Sequence, residues 1–235
     1  MGKFLHQYLN PLDLRRAVPQ VWDGFTTNIK LMVVAEILVL ILALVVAIVR
    51  GLPGRGALPL RVAAIAYTDF FRGTPLILVA YAIALGIPTL QISGISNRSL
   101  FTYGVAALTL VYTAYVTEVY RAGIESVHPS QRMAARSLGL TYTQTLRYVI
   151  LPQAIRRVIP PLLNDFIGLQ KDTAIITVIG LTESLAQAGF YSTDFFSYAG
   201  YTVAAAFFIL LTIPFARFTD NLIKQREQRE RAQLV

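Results

Sequence analysis

A run of 19 residues with a single charge is the feature that most constrains how this chain can fold. Leu31–Val49 reads LMVVAEILVLILALVVAIV, and Glu36 is its charged residue. A helix needs about 20 mostly apolar residues to cross a hydrocarbon layer of roughly 30 Å. The run therefore predicts a membrane-spanning helix, which Arg50-Gly51 ends.

Four further stretches have the length and composition of membrane-crossing segments, and they are Val62–Ile87, Ser99–Val119, Val158–Leu181 and Ser197–Ala216. The first of these carries Asp69, Arg72 and Thr74-Pro75. Because proline fits the first turn of a helix, we expect an interfacial stretch there, followed by a membrane helix. The sequence predicts an all-α membrane protein with about five transmembrane helices.

The composition excludes several classes of protein. Apolar residues make up 55% of the 235 residues and charged residues 14%, whereas a soluble domain usually carries about 25% charge. Disorder, collagen and a disulfide scaffold are excluded, and an ordinary cytosolic enzyme is disfavoured. Cysteine is absent, so the chain has no thiolate metal site and no cysteine nucleophile.

The net charge is +8, and the basic residues are distributed unevenly between the two sides of the predicted membrane spans. Of the 21 Lys and Arg residues, 14 fall on one side of the predicted spans and 4 on the other. Lys and Arg collect in cytoplasmic loops, which predicts that the N-terminus is outside and the C-terminus inside. No basic patch is interleaved with aromatic residues, so we expect a lipid bilayer and no nucleic acid as a partner.

The spans divide the chain into three predicted parts. Residues 1–25 form an N-terminal interfacial segment, residues 26–219 a transmembrane domain, and residues 220–235 a cytoplasmic tail.

One predicted cytoplasmic loop, Tyr120–Arg157, has 38 residues and is too long to be a simple connector. His128-Pro129-Ser130 is a helix-start signal, and Gly139 is typical of a left-handed cap at the end of a short helix. Thr141 and Gln144 have the spacing of a capping box for a second helix. The short helix either docks onto a partner or folds back onto its own bundle, and the spacing leaves both open.

A spaced motif lies in this loop. Met133-Ala134-Ala135 is followed after three residues by Gly139, and after nine more by Val149-Ile150-Leu151-Pro152. The pattern, at about residues 128–152, resembles the Glu-Ala-Ala signature of permease subunits of ATP-binding-cassette (ABC) importers. Met133 stands where that family usually has Glu, and Val149 where it usually has Ile.

Four more segments narrow the resemblance to the polar amino acid permeases, and they are Phe71–Leu76, Glu118–Ile124, Asn164–Ile167 and Lys171–Thr173. The resemblance implies a five-helix core that pairs with a second permease subunit, either a copy or a paralogue. It also implies a cytoplasmic ATPase dimer, an extracytoplasmic solute-binding protein, an amino acid substrate and a location in the cytoplasmic (inner) membrane.

The short helix in the loop is then expected to be the coupling helix through which the ATPase acts. Its residues are Pro129, Ser130, Arg132, Met133, Ala134, Ala135, Arg136, Ser137, Leu138 and Gly139. The chain has no G-x-x-x-x-G-K-[ST] phosphate loop. We therefore expect a transport subunit without enzymatic activity or cofactor of its own, with ATP and Mg²⁺ on the partner ATPase.

Charged residues at membrane depth are costly and are often functional. Lys171 lies 14 residues beyond Arg157, which is about 21 Å along a helix. A zwitterionic substrate needs one cationic and one anionic partner. The candidate substrate residues are Asn164, Gly168, Lys171, Asp172 and Thr173. The alternative is that these charges only pair between helices.

Two other classes of function remain as alternatives. The charges within the spans also fit an ion-coupled carrier or channel that works alone, although the long cytoplasmic loop would then lack a purpose. A membrane-embedded enzyme is disfavoured because no catalytic constellation or metal-ligand spacing is present.

Overall fold

The structure is a computed structural model, and it describes residues 2–52 and 54–232. These residues form helices and no β-strand. The helices are α1 (Gly2–Leu9), α2 (Pro11–Arg50), α3 (Leu58–Gly73), α4 (Leu76–Thr89), α5 (Leu100–Glu125), α6 (Pro129–Ser137), α7 (Tyr142–Ile179), α8 (Ser184–Phe195) and α9 (Ala199–Ala232). The fold is therefore the all-α membrane architecture that the sequence predicts.

Helix α2 is 40 residues long, and it joins the first predicted span to the residues before it. It begins after Asn10, whose side chain accepts a hydrogen bond of 3.0 Å from the Leu12 N–H. At 1.5 Å per residue the helix is about 60 Å long, roughly twice the thickness of the hydrocarbon layer. The boundary expected at residue 25 falls within this continuous helix.

Helix α5 lies at the centre of the bundle. In the most apolar 18-residue stretch of α5, 67% is buried inside the protein, compared with 28% for the same length of α2 and 22% for that of α9. Leu108 and Val116 of α5 pack with Leu31 and Val39 of α2 in the main hydrophobic core. The flanking helices therefore leave more apolar surface for lipid or for another subunit.

The predicted span Val62–Ile87 is broken, and the predicted span Val158–Leu181 ends at a bend. Helices α3 and α4 meet at an angle of 108°, where Thr74 and Pro75 are extended, and α7 and α8 meet at 54°. The residue before a proline avoids the α-helical region, which explains the first break. By length and composition α2, α5 and α9 could each cross a membrane, and the total is five if each bent pair counts as one span. The orientation of the termini stays a prediction.

Helix α7 continues through Pro160 and Pro161, and it changes its winding at both ends. A π-helical turn at Leu146–Ile150 precedes Pro152, and the segment Thr173–Ile179 is 3₁₀-helical. A proline lacks the N–H that an α-helix needs and presses on the preceding turn, so the wider π turn relieves the clash. Gly180, with φ of 88°, ends the segment.

Candidate functional site

Helix α6 has the limits that the sequence predicts. The His128 side chain caps its first turn by accepting a hydrogen bond of 3.2 Å from the Ser130 N–H. At its end Gly139 has φ of 84°, and the Leu140 N–H donates to the Ala135 carbonyl at 3.2 Å. This pattern is a Schellman cap, which satisfies carbonyl groups that the helix would otherwise leave unpaired.

Most of the α6 surface faces away from the bundle. Ala135 is 4% exposed, whereas Met133 is 63% exposed and Leu138 is 81% exposed. Ser130, Ala134 and Ser137 are also exposed. These two apolar side chains are five residues apart and point to different sides of the segment, and single exposed apolar residues are common on protein surfaces. The segment therefore leaves both apolar and polar side chains accessible to a partner.

The segments on either side of α6 form a packed base. Val127, Ile150 and Ala154 make a buried apolar cluster, and the Arg157 guanidinium donates a hydrogen bond to the Ser126 carbonyl. The predicted capping box is present, since Thr141 and Gln144 each bond to the backbone N–H of the other. These contacts hold the residues just before α6 against α7 and fix the start of the helix that follows it.

The five candidate substrate residues on α7 fall into different environments. Asn164 and Lys171 are exposed and lie on one face of the helix, since they are seven residues apart. Asp172 is half-buried and accepts a hydrogen bond of 2.8 Å from the Tyr112 hydroxyl of α5. A Cβ atom on Gly168 would lie 3.0 Å from the same hydroxyl, so the absence of a side chain there lets Tyr112 approach.

Thr173, the last candidate, is fully buried in a polar cluster that the sequence analysis missed. Its Oγ1 accepts a hydrogen bond of 3.1 Å from the Asn28 side chain, which also donates to the Glu183 carboxylate at 2.9 Å. Glu183 is 0% exposed and accepts from the N–H groups of Leu185 and Ala186 at 2.9 and 3.0 Å. The cluster ties α2 to the corner between α7 and α8.

A second set of charges surrounds Glu118 near the end of α5. Its carboxylate forms ion pairs with Arg50 of α2, with Arg121 at 2.7 Å and with Arg72 of α3 at 3.7 Å. The side chains of Arg50 and Glu118 are only 13% and 16% exposed. This cluster therefore joins three helices at the end of the bundle that carries α6.

A cleft of 390 Å³ opens beside the Glu118 cluster, between α5 and α7. Residues on its wall include Arg72, Tyr115, Ala122 and Asp165. One carboxylate oxygen of Asp165 is buried and has no hydrogen-bond donor from the protein. Asp165 is not among the five candidate substrate residues that the sequence indicates. Among the described residues no group of three or more His, Cys, Asp or Glu is placed to hold a metal ion.

Curated relatives share most of the chain's length. A probable glutamine ABC transporter permease of Bacillus subtilis, GlnM, is 35% identical over 209 residues, which cover 88% of this chain and 93% of the relative. The arginine transport system permease ArtQ of the same organism is 36% identical over 180 residues, covering 75% and 80%. The glutamate/aspartate import permease GltJ of Escherichia coli K12 is 34% identical over 197 residues, covering 80% and 78%.

Solved structures have the same fold. The crystal structure of an amino acid ABC transporter with histidines aligns with a TM-score of 0.83 and 33% identity, covering 93% of this chain and 99% of the other. An inward-facing MetNI methionine ABC transporter aligns with a TM-score of 0.70 at 16% identity, covering 88% and 95%, which supports the fold alone.

The family described as the binding-protein-dependent transport system inner membrane component matches residues 58–228. This match begins at α3 and includes α6 and the whole of α7. Together with the relatives, it confirms the resemblance to amino acid ABC permeases that the sequence motifs carry. The chain therefore belongs to the binding-protein-dependent transport system inner membrane component family, as an ABC transporter permease subunit, a transport component rather than an enzyme.

Proposed function

We propose that this chain is the membrane-spanning permease of an ATP-driven amino acid importer in the cytoplasmic membrane. The observation that carries the proposal is the exposed α6 on a packed base that continues into α7. Relatives whose names specify glutamine, arginine or glutamate and aspartate support an amino acid as the substrate.

Helix α6 is the proposed coupling helix, with Pro129–Gly139 as the segment that a cytoplasmic ATPase dimer contacts. Its exposed Met133 and Leu138 would be covered by apolar residues of that partner. ATP and Mg²⁺ would bind to the ATPase, and this chain would hold no cofactor. Closure of the ATPase dimer would then move α6 and, through the base, tilt α7.

The translocation pathway is proposed to run along α7. The exposed polar residues Asn164 and Lys171 would face this pathway and, with Asp172, offer both signs of charge to a zwitterion. Gly168 lets Tyr112 of α5 reach Asp172. Thr173 would act from the interior, because it is buried against Asn28 and anchors the end of the helix.

Further partners complete the proposed assembly. A second permease subunit, either a copy or a paralogue, would close the pathway, and an extracytoplasmic solute-binding protein would deliver the amino acid. The N-terminus would lie outside and the C-terminus inside, so that α6 meets the ATPase in the cytoplasm.

Reconstitution tests this function directly. Proteoliposomes would contain the chain, its second permease subunit and the ATPase, and the solute-binding protein would be added with radiolabelled L-glutamine, L-arginine or L-glutamate. We expect uptake of at least one of these amino acids that requires ATP and stops when the ATPase is inactivated. Uptake driven by an ion gradient without the ATPase would contradict the proposal and favour a carrier that works alone.

A further inference from the structure

The cleft between α5 and α7 contains a carboxylate that the protein leaves without a partner. Asp165 forms no ion pair with any described residue, and its Oδ2 atom is buried without a hydrogen-bond donor. A buried, unpaired carboxylate oxygen is costly, because it loses hydration and gains nothing in return. Asp165 also lines the cleft, so a turn of its side chain would bring this oxygen to a ligand that supplies the missing donor.

The carboxylates of Glu118 and Asp172 already have ion-pair or hydrogen-bond partners, and Asp165 differs from them in this respect. Glu118 has Arg50, Arg72 and Arg121 around it, and Asp172 accepts from the Tyr112 hydroxyl. Glu36 of α2 lies close enough to Asp165 for the two carboxylates to repel each other. A positively charged group in the cleft would relieve this repulsion.

The same cleft contains a cation with free donors. Arg72 is 44% exposed, and its ion pair is a 3.7 Å contact with Glu118, a carboxylate that Arg50 and Arg121 contact more closely. A guanidinium has five N–H donors, so Arg72 keeps donors for an anion in the cleft. Asp165 and Arg72 thus offer opposite charges to one small molecule.

We propose that the cleft is a binding site for the backbone end of an amino acid, with Asp165 accepting from its α-ammonium group and Arg72 donating to its α-carboxylate. The volume of 390 Å³ is within the range of small-molecule sites. This assignment rests on the proposed function and adds residues outside Asn164, Gly168, Lys171, Asp172 and Thr173. Because it uses groups that every amino acid has, it explains binding but not the choice of side chain.

Because the chain has no cysteine, a single thiol introduced in the cleft can be labelled specifically. Ala122 is exposed on the cleft wall, so Ala122→Cys introduces a single thiol there, and Ser93→Cys introduces one in an exposed loop away from the cleft. Each variant would be assembled with its ATPase, and the rate of maleimide labelling would be measured with L-glutamine, L-arginine or L-glutamate present. We expect at least one amino acid to slow labelling at residue 122 and none to slow it at residue 93.

Analogues separate the two contacts. Glutarate lacks the α-ammonium group of glutamate, and γ-aminobutyrate lacks its α-carboxylate, so neither should protect residue 122 as L-glutamate does if L-glutamate is the protecting amino acid. For any other protecting amino acid, its own deaminated and decarboxylated forms serve instead. Protection by the deaminated form, or by sodium chloride alone, would overturn the proposal, as would the absence of protection by all three amino acids.

Substitutions test the residues themselves in the Ala122→Cys background. Asp165→Asn should raise the concentration needed for protection by roughly 10- to 100-fold, as expected for the loss of one charged hydrogen bond. Arg72→Gln should act in the same direction, while the exposed Asp69→Asn on α3 serves as the matched control. Unchanged protection in both Asp165→Asn and Arg72→Gln would overturn the assignment.

Two further measurements keep the outcomes distinct. Co-purification with the ATPase shows that a variant is folded, and Arg72→Gln provides an independent test if Asp165→Asn fails to assemble. If ATP-dependent uptake is present but residue 122 is never protected, this inference fails and the proposed function stands. If no ATP-dependent uptake occurs in the unmodified chain, the proposed function itself fails.

Discussion

The side-chain amide of Asn28 donates a hydrogen bond of 2.9 Å to the buried carboxylate of Glu183, 155 residues away in the chain. The same amide group donates to the Thr173 hydroxyl, and the side-chain oxygen Oδ1 of Asn28 accepts a hydrogen bond of 3.0 Å from the Ser184 N–H. One residue of α2 thereby satisfies groups on both sides of the corner between α7 and α8. The corner is held by hydrogen bonds rather than by apolar packing alone.

Removing the amide should loosen this corner. Asn28→Leu leaves the Glu183 carboxylate with one donor fewer inside the protein, and we expect a loss of about 2 kcal/mol in stability. The melting temperature of the detergent-purified chain measures the effect. Asn97→Leu, at an exposed loop position, is the matched control and should leave the melting temperature nearly unchanged. Equal effects of the two substitutions would refute the role of the amide.

The same corner depends on a close approach by α2. A Cβ atom on Gly24 would lie 2.6–2.7 Å from backbone atoms of Glu183 and Ser184. Backbone atoms cannot move aside cheaply, so Gly24→Ala should destabilise the chain by about 1–3 kcal/mol. Gly73→Ala is the comparison, because nothing lies within 4 Å of its added atom. A melting temperature that falls only for Gly73→Ala would contradict this packing.

The Glu118 cluster predicts unequal effects of two similar substitutions. Glu118→Gln leaves the Arg50 guanidinium, which is 13% exposed, without its anionic partner, and we expect destabilisation of about 3 kcal/mol. Glu125 pairs with the same Arg121 but is 61% exposed, so Glu125→Gln should cost less than about 1 kcal/mol. Thermal unfolding of both variants in detergent checks the ranking, and a larger loss for Glu125→Gln would reverse the assignment.

The contact between α5 and α7 makes a prediction about transport. Tyr112→Phe keeps the ring but removes the 2.8 Å hydrogen bond to Asp172. The Asp172 carboxylate is then no longer held in place by the Tyr112 hydroxyl. We expect slower ATP-dependent uptake with unchanged binding to the ATPase. Tyr142→Phe, at an exposed position in the cytoplasmic loop, is the control. Normal uptake by Tyr112→Phe would show that the hydrogen bond has no part in the pathway.

Local signals predicted the ends of α6 and the start of α7. His128-Pro129, the left-handed Gly139 and the Thr141–Gln144 capping box each act over four residues or fewer, so their geometry follows from neighbouring residues. The break at Thr74-Pro75 is local for the same reason. Spacing alone left open whether α6 meets a partner, and its exposed Met133 and Leu138 are accessible to one.

Contacts between distant residues could not be predicted in the same way. Nothing near Asn28 in the sequence points to Glu183, and a glutamate at a helix N-cap is not among the strongest start signals. The environment of Asp165 depends on how α5 packs against α7, which no local pattern in the sequence shows. The continuity of α7 through Pro160 and Pro161 also runs against local propensity, because a proline inside a helix usually kinks or breaks it.

Crosslinking is the most direct test of contact between α6 and a cytoplasmic ATPase. Because the chain has no cysteine, Ser137→Cys on α6 and Ser93→Cys between α4 and α5 each introduce one thiol. A bifunctional thiol-to-amine reagent would be applied to membranes that contain the assembled transporter. We expect a covalent adduct with the ATPase from residue 137 and none from residue 93. An adduct from residue 93 alone, or none from residue 137 in a complex that transports, would contradict this contact.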